Sequence, residues 1–383
     1  MTTLVTGATG FLGSHLTRLL VERGHRVRVL ARPASRLDAI VGVPCEIVQG
    51  DLRDKASLIP AMRGVGRVFH AAADYRLSAR DPRELYESNV TGTRNLLDVC
   101  RAARLDRFVY TSSVATIKAH YSKARSISGE MAARGRLPNE SDAASIDDMV
   151  GHYKRSKLLA EQEVLAAASD IPIVVVNPTA PVGPGDWKPT PTGRIIVDFM
   201  RGRMLAYVET GLNLVPVEDV AAGHLLAAER GETGQKYILG GVNMQLKEIF
   251  DALAAITGRR APSIRIPHSL AIAAAHVSEI IARASGGDPV APLEGARMAR
   301  LTMFVDSSKA RRELGFEAGS VPAALERAVR WYAERGYGGS SRLRAFGAAA
   351  PRDSGPRAVA RDFSPAHSSG SGRSKHLRYD HRE

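Results

Sequence analysis

The sequence predicts an α/β protein, a doubly wound parallel sheet with a smaller C-terminal α/β lobe, and three observations carry that prediction. Short apolar runs alternate with helical patterns along the first half: Leu4-Val5, Val27 to Ala31, Cys45 to Gln49, Val68 to His70, Phe108 to Tyr110 and Ile173 to Val176 read as strands. A glycine-rich turn stands between the first strand and the first helical pattern, in which Leu12, Leu16, Leu19 and Leu20 recur at helical spacing. The last third is mainly helical, over Leu246 to Thr257, His268 to Ile281 and Val321 to Arg335, with Tyr237 to Gly240 as a late strand.

The turn reads Val5-Thr6-Gly7-Ala8-Thr9-Gly10-Phe11-Leu12-Gly13. Gly7 permits a tight turn, Gly10 removes a side chain that would block a diphosphate, and Gly13 lets the helix pack close to its strand. The free N–H groups of the helix's first turn then face an anion, which makes this a phosphate-binding turn. The second strand ends at Ala31, where sites for NAD usually place an acid against the ribose 2′-hydroxyl. Arg32 and Arg36 follow instead, and arginine matches a 2′-phosphate, so NADP is expected, with NAD as the alternative. Asp51, after the third strand, is a candidate ligand to adenine and equally a cap for the helical pattern from Lys55 to Met62. His70, at a strand end in an apolar pattern, reads as a satisfied core residue.

Pro82 opens a long helical pattern that contains Asn89. Thr111-Ser112-Ser113 sits at the carboxyl end of the fifth strand, where open parallel sheets bind ligands. Tyr153 and Lys157, four apart, stack on one helix face. Lys118 to Asn139 is basic and aperiodic, readable as a lid or as a solvated insertion.

The bulk properties narrow the class. With 383 residues, 44% hydrophobic and 24% charged, the chain is an ordinary globular protein, neither fibrous nor disordered overall. The net charge of +13 is partly local: from Arg342 onward nine Lys/Arg oppose four acids. That tail is poor in large apolar residues, cannot offset its ordering entropy, and is expected to be disordered. Charge without aromatic interleaving does not make a nucleic-acid site, and no specific nucleic-acid partner is expected. Cys45 and Cys100 read as small buried hydrophobes, and no metal site is expected. Leu270 to Val277 is apolar but interrupted by Ser278 and Glu279, which points to a core helix rather than a membrane span. With the first strand so close to Met1, no signal peptide is expected, and the cytoplasm is the expected location.

The G-x-x-G-x-x-G spacing, the Thr-Ser-Ser strand end and the Tyr-x-x-x-Lys helix, in that order, resemble the extended short-chain dehydrogenase/reductase superfamily. Asn89-Val90-Thr91-Gly92-Thr93, Val217-Glu218-Asp219-Val220-Ala221 and Asp306 to Phe316 are similar to further segments of it. The resemblance implies a Rossmann-type dinucleotide-binding half mainly over 1–177, a substrate lobe mainly over 178–337 with strands interleaved, and the tail over 338–383. It implies Ser113, Tyr153 and Lys157 as the catalytic residues. The implied cofactor contacts are Gly7, Thr9, Gly10, Phe11, Leu12, Gly13, Arg32, Arg36, Asp51, Leu52, Ala71, Ala72, Ala73, Thr111, Tyr153, Lys157 and Pro178. Asn89 is implied as a brace. Tyr75, Ser113, Thr179 and Arg194 are implied for substrate, with Lys188, Arg201 and Arg203 as further cations nearby. Tyr153 is implied to exchange a proton with the substrate alcohol, its acidity expected to be increased by the Lys157 ammonium and by the positive nicotinamide.

His70-Ala71-Ala72-Ala73-Asp74-Tyr75-Arg76-Leu77 and Pro189 to Asp198 look like the hopanoid-associated sugar epimerases, themselves similar to dihydroflavonol 4-reductases. The expectation is therefore an NADP-dependent epimerase of that kind, then a ketone reductase, then a non-catalytic cofactor sensor, which would commonly have lost Tyr153 and Lys157. Ala180 stands where nucleotide-sugar epimerases place an asparagine, and Val114-Ala115 where sugar dehydratases place Asp-Glu. The partner expected is a small molecule; a homodimer is among the assemblies the resemblance allows.

Overall fold

The computed structural model describes residues 1–76, 81–118, 120–121, 136–286 and 293–338. Most of the 118–139 stretch, Leu77 and the tail beyond Gly338 lie outside them.

Seven parallel strands form the central sheet: β1 (Thr2–Thr6), β2 (Arg26–Ala31), β3 (Glu46–Gln49), β4 (Val65–His70), β5 (Arg107–Thr111), β6 (Ile173–Pro178) and β7 (Lys236–Leu239). Their spatial order is β7-β6-β5-β4-β1-β2-β3. The order reverses at β1, so the crevice between the carboxyl ends of β1 and β4 is the place where such a sheet holds a ligand. Register puts Thr6 beside both Leu30 and His70, His70 beside Tyr110, and Thr111 beside Val176, aligning the loops after β1, β4, β5 and β6 along one edge.

Successive residues of a buried strand serve opposite faces, and both faces here are covered. Val5, Val29, Phe69 and Val109 pack with Leu16 and Leu20 of the helix Phe11–Glu22 and with Leu225 of Val217–Arg230. Leu4, Val68, Phe108 and Val175 pack on the other side with Leu58, Leu96 and Val164, from the helices Lys55–Met62, Gly92–Arg101 and Gly151–Ala166. The second lobe packs Phe199, Phe250, Trp331 and Tyr332 under a three-stranded sheet of Ala180–Val182, Gly211–Pro216 and Val242–Gln245. From it the chain returns to the central sheet for β7.

The structure departs from the sequence reading in several places. The helical pattern after Pro82 is divided into Arg83–Tyr86, a π turn over Glu87–Thr91 and Gly92–Arg101, and the wider turn carries the buried Asn89. The cap of Lys55–Met62 is Asp54, whose carboxylate accepts the Ala56 amide, and not Asp51. Cys45 precedes β3 and is half-buried, while Cys100 is fully inside. The expected core helix is an exposed one: of the described side chains in His268–Ser285 only Ala275 and Ala282 are buried, and Leu270, Val277, Ile280 and Ile281 are each more than half exposed.

The three glycines of the turn are required for different reasons. Gly7 has φ +75°, and a Cβ there would lie 2.5 Å from the Ala72 nitrogen. A Cβ on Gly13 would come within 2.1 Å of the Gly7 carbonyl oxygen, so both must be bare for the protein's own sake. A Cβ on exposed Gly10 meets only the Gly7 oxygen, at 3.2 Å. Gly13→Ala is therefore expected to cost about 3 kcal/mol or more of folding stability and Gly10→Ala about 1 kcal/mol or less, as read by urea denaturation. Equal losses would contradict this division of roles.

Candidate active site

Tyr153 and Lys157 lie on the helix Gly151–Ala166, which packs against the sheet beside β5 and points its amino end toward the second lobe. Lys157 is buried; its Nζ donates to the Thr111 carbonyl at 2.8 Å and to the Tyr110 hydroxyl at 3.1 Å. Burial pulls its pKa down to about 8, against the attraction of Glu161. Tyr153 is half-buried, and burial raises its phenol above the ordinary 10.0, a hydrogen bond with Ser113 acting the other way. The gain in acidity expected from Lys157 together with a positively charged nicotinamide is opposed by desolvation, which dominates the phenol, while the Lys157 ammonium is directed to Thr111 and Tyr110. Ser113 also caps the short turn Val114–Thr116, its Oγ accepting the Ala115 amide at 3.1 Å.

Asn89 braces this arrangement from below. Its side chain accepts from the Asp74 amide (2.7 Å) and donates to the Asp74 carbonyl (2.9 Å) and to Ser156 Oγ (2.9 Å), pinning the loop after β4 to the tyrosine-bearing helix. His70 is held between Thr6 Oγ1 (2.7 Å) and Thr93 Oγ1 (3.0 Å), and burial takes its pKa down to about 3, so it is a neutral core residue.

A buried polar cluster behind the site was not apparent from the sequence. The Glu161 carboxylate accepts from Ser112, from Thr116 Oγ1 (2.8 Å) and from Asn177 Nδ2 (2.8 Å), with Lys236 Nζ at 3.4 Å. Asn177 also donates to the Ser113 carbonyl at 3.1 Å. The cluster therefore clamps the Ser113 loop to the helix that carries Tyr153, and charge-assisted bonds of this kind are strong when buried. Glu161 falls one helical turn beyond Lys157, a spacing that could have marked it.

On the cofactor side, Gly7, Thr9, Gly10, Phe11, Leu12 and Gly13 form the turn into Phe11–Glu22, and no side chain caps that helix at Gly10. The Ala71 amide donates to the Thr6 carbonyl and the Ala72 amide to Thr6 Oγ1, which brings Ala71, Ala72 and Ala73 along the turn. Thr111 and Pro178 end β5 and β6 on the same edge. Leu52 is fixed by Asn95, which donates to its carbonyl at 2.9 Å. Arg32 is exposed after Ala31, and Arg36 pairs with Asp38 at 3.0 Å. Asp51 pairs with Arg53 at 2.7 Å, and that guanidinium, with Arg32 adding to it, holds its carboxyl below the usual range. The bareness of Gly10, which internal packing does not demand, together with uncapped first-turn amides, fits a diphosphate approaching the backbone.

On the substrate side Tyr75 donates to the Lys188 carbonyl at 3.1 Å, and burial pushes its pKa up to about 12, with Asp186, Asp74 and Tyr153 adding and Arg194 opposing. These groups therefore share one region. Asp186, a buried carboxylate the sequence reading passed over, accepts from Thr190 Oγ1 and Tyr332, each at 2.8 Å, and so anchors the start of Pro191–Met200, which carries Arg194. Thr179 Oγ1 donates weakly to the Leu239 carbonyl (3.4 Å). Arg201 and Arg203 are turned to the Tyr337 carbonyl and to Asp198.

Comparison with known proteins places this geometry. A profile described as the NAD dependent epimerase/dehydratase family matches residues 3–240. A Synechocystis protein with the provisional name dihydroflavonol 4-reductase is 45% identical over 87% of this chain and 95% of its own length. Sterol demethylase protein B of Methylococcus capsulatus is 37% identical over 88% of this chain and 99% of its own. The solved structure titled gox2253 superposes with a TM-score of 0.76 at 43% identity, covering 88% of this chain and 99% of that one.

The buried lysines set a pH dependence. Lys154 and Lys157 are each held near 8 against an ordinary 10.5, so between those values the unfolded chain binds more protons and stability rises with pH. Above 10.0 the raised phenols of Tyr153 and Tyr332 reverse the trend, since the unfolded chain loses those protons first. Unfolding free energy is expected to climb from about pH 8 to about pH 10 and then fall. Denaturant titrations at stepped pH check this, and Lys157→Met should flatten the climb; an unaltered slope would reject the assignment.

Proposed function

The chain belongs to the NAD dependent epimerase/dehydratase family, the extended branch of the short-chain dehydrogenases/reductases, and we propose that it is an NADPH-dependent oxidoreductase interconverting a ketone and a secondary alcohol on an apolar, ring-bearing substrate. The observation that carries this reading is the placement of Tyr153: half-buried, hydrogen-bonded with Ser113, and one helical turn before the buried Lys157. A protonated phenol is the acid that a ketone reduction needs. The nicotinamide cofactor, when bound, supplies or takes the hydride.

Every other step belongs to the protein. The first-turn amides after Gly10 hold the diphosphate, and Arg32, with no acid at Ala31, receives the 2′-phosphate. Ser113 Oγ donates to the substrate carbonyl oxygen and steadies its developing charge. Tyr153 delivers its proton to the same oxygen, and the resulting phenolate is stabilised by the Lys157 ammonium. Glu161 and Asn177 hold the Ser113 loop at the distance this requires.

Several features support a reductase acting on an apolar ketone. Ala180 removes the asparagine that a sugar diphosphate would meet, and Val114-Ala115 lack the acids of an elimination. The names of two relatives refer to a dihydroflavonol and a sterol, both fused-ring compounds. The second reading, a hopanoid-associated sugar epimerase, is favoured by the Pro189 to Asp198 string. Retention of Tyr153 and Lys157 argues against a cofactor sensor without chemistry.

The test is incubation of the purified protein with NADPH or NADH and panels of flavonoid, terpenoid and sugar ketones. Net NADPH consumption with an apolar ketone is expected; isomer exchange of a sugar without net cofactor turnover would select the epimerase instead. NADPH is expected to bind about tenfold or more tighter than NADH in a fluorescence titration, and the reverse order would remove Arg32 from its role. Tyr153→Phe is expected to keep NADPH affinity while turnover falls about 10²–10⁴-fold.

A further inference from the structure

The helix His268–Ser285 presents an apolar face that no other part of the described chain covers. Leu270, Ala273, Ala274, Val277, Ile280 and Ile281 are all exposed. At 3.6 residues per turn they share about 120° of arc, opposite the buried Ala275 and Ala282. The face extends past the helix's amino end: Ile264 and the neighbouring Leu205, 62% and 79% exposed, adjoin the short pairing of Ala206–Tyr207 with Ile264–Arg265. Six of the fourteen large hydrophobics exposed among the described residues thus lie on this helix or beside the strand pair that leads into it, more than scattered surface residues explain.

The charges around it are biased. Between Arg259 and Arg300 the sequence carries six arginines against Glu279, Asp288 and Glu294. Arg260, Arg297 and Arg300 are exposed, and Arg265 is exposed but paired with Glu209 at 3.2 Å, whereas Glu279 accepts the Leu293 amide at 3.1 Å and the Glu294 carboxylate is packed against Gly151 and Lys154. An apolar stripe on an amphipathic helix with exposed arginines near it, and with Glu279 and Glu294 engaged by the protein, matches an anionic lipid surface. No helix among the described residues is long and apolar enough to cross a membrane.

We propose that the exposed face of His268–Ser285 docks on the surface of an anionic lipid bilayer, Leu270, Val277, Ile280 and Ile281 entering the acyl boundary and the flanking arginines meeting the headgroups. The inference is independent of the redox reading. The docked helix packs beside Leu293–Met298, whose Glu294 abuts the amino end of the tyrosine-bearing helix.

Flotation of the full-length protein with phosphatidylcholine vesicles, with and without phosphatidylglycerol, tests it. The protein is expected to float with the phosphatidylglycerol vesicles. Val277→Glu/Ile281→Glu, at exposed positions and with unchanged circular dichroism and thermal midpoint, is expected to lower the vesicle-bound fraction about tenfold or more, while Val277→Leu/Ile281→Leu retains it. Since every variant keeps the basic residues beyond Arg342, their attraction is common to all. Absence of binding by the wild type, or equal binding by the glutamate variant, would overturn the proposal. So would light scattering that finds the wild type dimeric and the glutamate variant monomeric, which would give the face to a second copy. If the glutamate pair lowers the thermal midpoint, Ile280→Ser takes its place, and it must still reduce flotation.

Discussion

Everything at the active edge depends on bare backbone lying against bare backbone between β1 and β4. Gly7 approaches Ala72 and Gly13 approaches Gly7 at separations no side chain can share. Through the register of Thr6 with His70 and of His70 with Tyr110, that contact sets where β5 ends and hence where Ser113 is presented. The glycine turn and the Ser113 hydroxyl are thereby positioned by one packing constraint.

The second constraint is that polar groups taken out of water must be matched. Behind the site the chain buries Glu161, Asn177, Lys157, Asn89 and His70 together and hydrogen-bonds each of them, the Asn177 Oδ1 alone among their buried polar atoms lacking a partner. A hydrophobic core of the same volume would be more forgiving of rotation. A hydrogen-bonded one has a single satisfactory arrangement, so the cluster trades stability for a fixed relation between Ser113, Tyr153 and Lys157. The π turn at Asn89 belongs to the same economy of geometry, because a regular α-helix would carry that amide away from Asp74 and Ser156.

The central sheet was legible in the sequence because its strands are buried on both faces and separated by helical patterns, two signals that reinforce one another. The glycine turn was legible because the roles of Gly7 and Gly13 are steric and leave no alternative residue. Glu161, Asn177 and Asp186 were not, because a carboxylate or amide reads the same whether it ends up in solvent or in a buried cluster, and only tertiary contacts separate the two. The helix at Leu270 to Val277 was misread for the converse reason: an apolar run states that a helix has a hydrophobic face, not what the face is set against. The acidity expected of Tyr153 left out desolvation, because the sequence shows the lysine and implies the nicotinamide but does not show the burial that opposes both.

That last point bears on direction of catalysis. Burial acts oppositely on two acid–base groups one turn apart, lifting Tyr153 and lowering Lys157, and so drives both toward neutrality. Glu161, a further turn along, counters this for the lysine alone. With a pKa of about 8, Lys157 remains about nine-tenths protonated at pH 7. The pair at rest is therefore a neutral phenol beside a cation already bound to the Thr111 carbonyl, an arrangement that stores a proton for delivery and keeps a positive charge ready for the phenolate left behind. Taking a proton from an alcohol asks the same phenol to lose its own first, against desolvation, and needs an added positive charge in the site. An oxidised nicotinamide would bring such a charge when bound, so the resting pair fits proton exchange in either direction, with the attraction of Glu161 keeping the lysine's pKa from falling further.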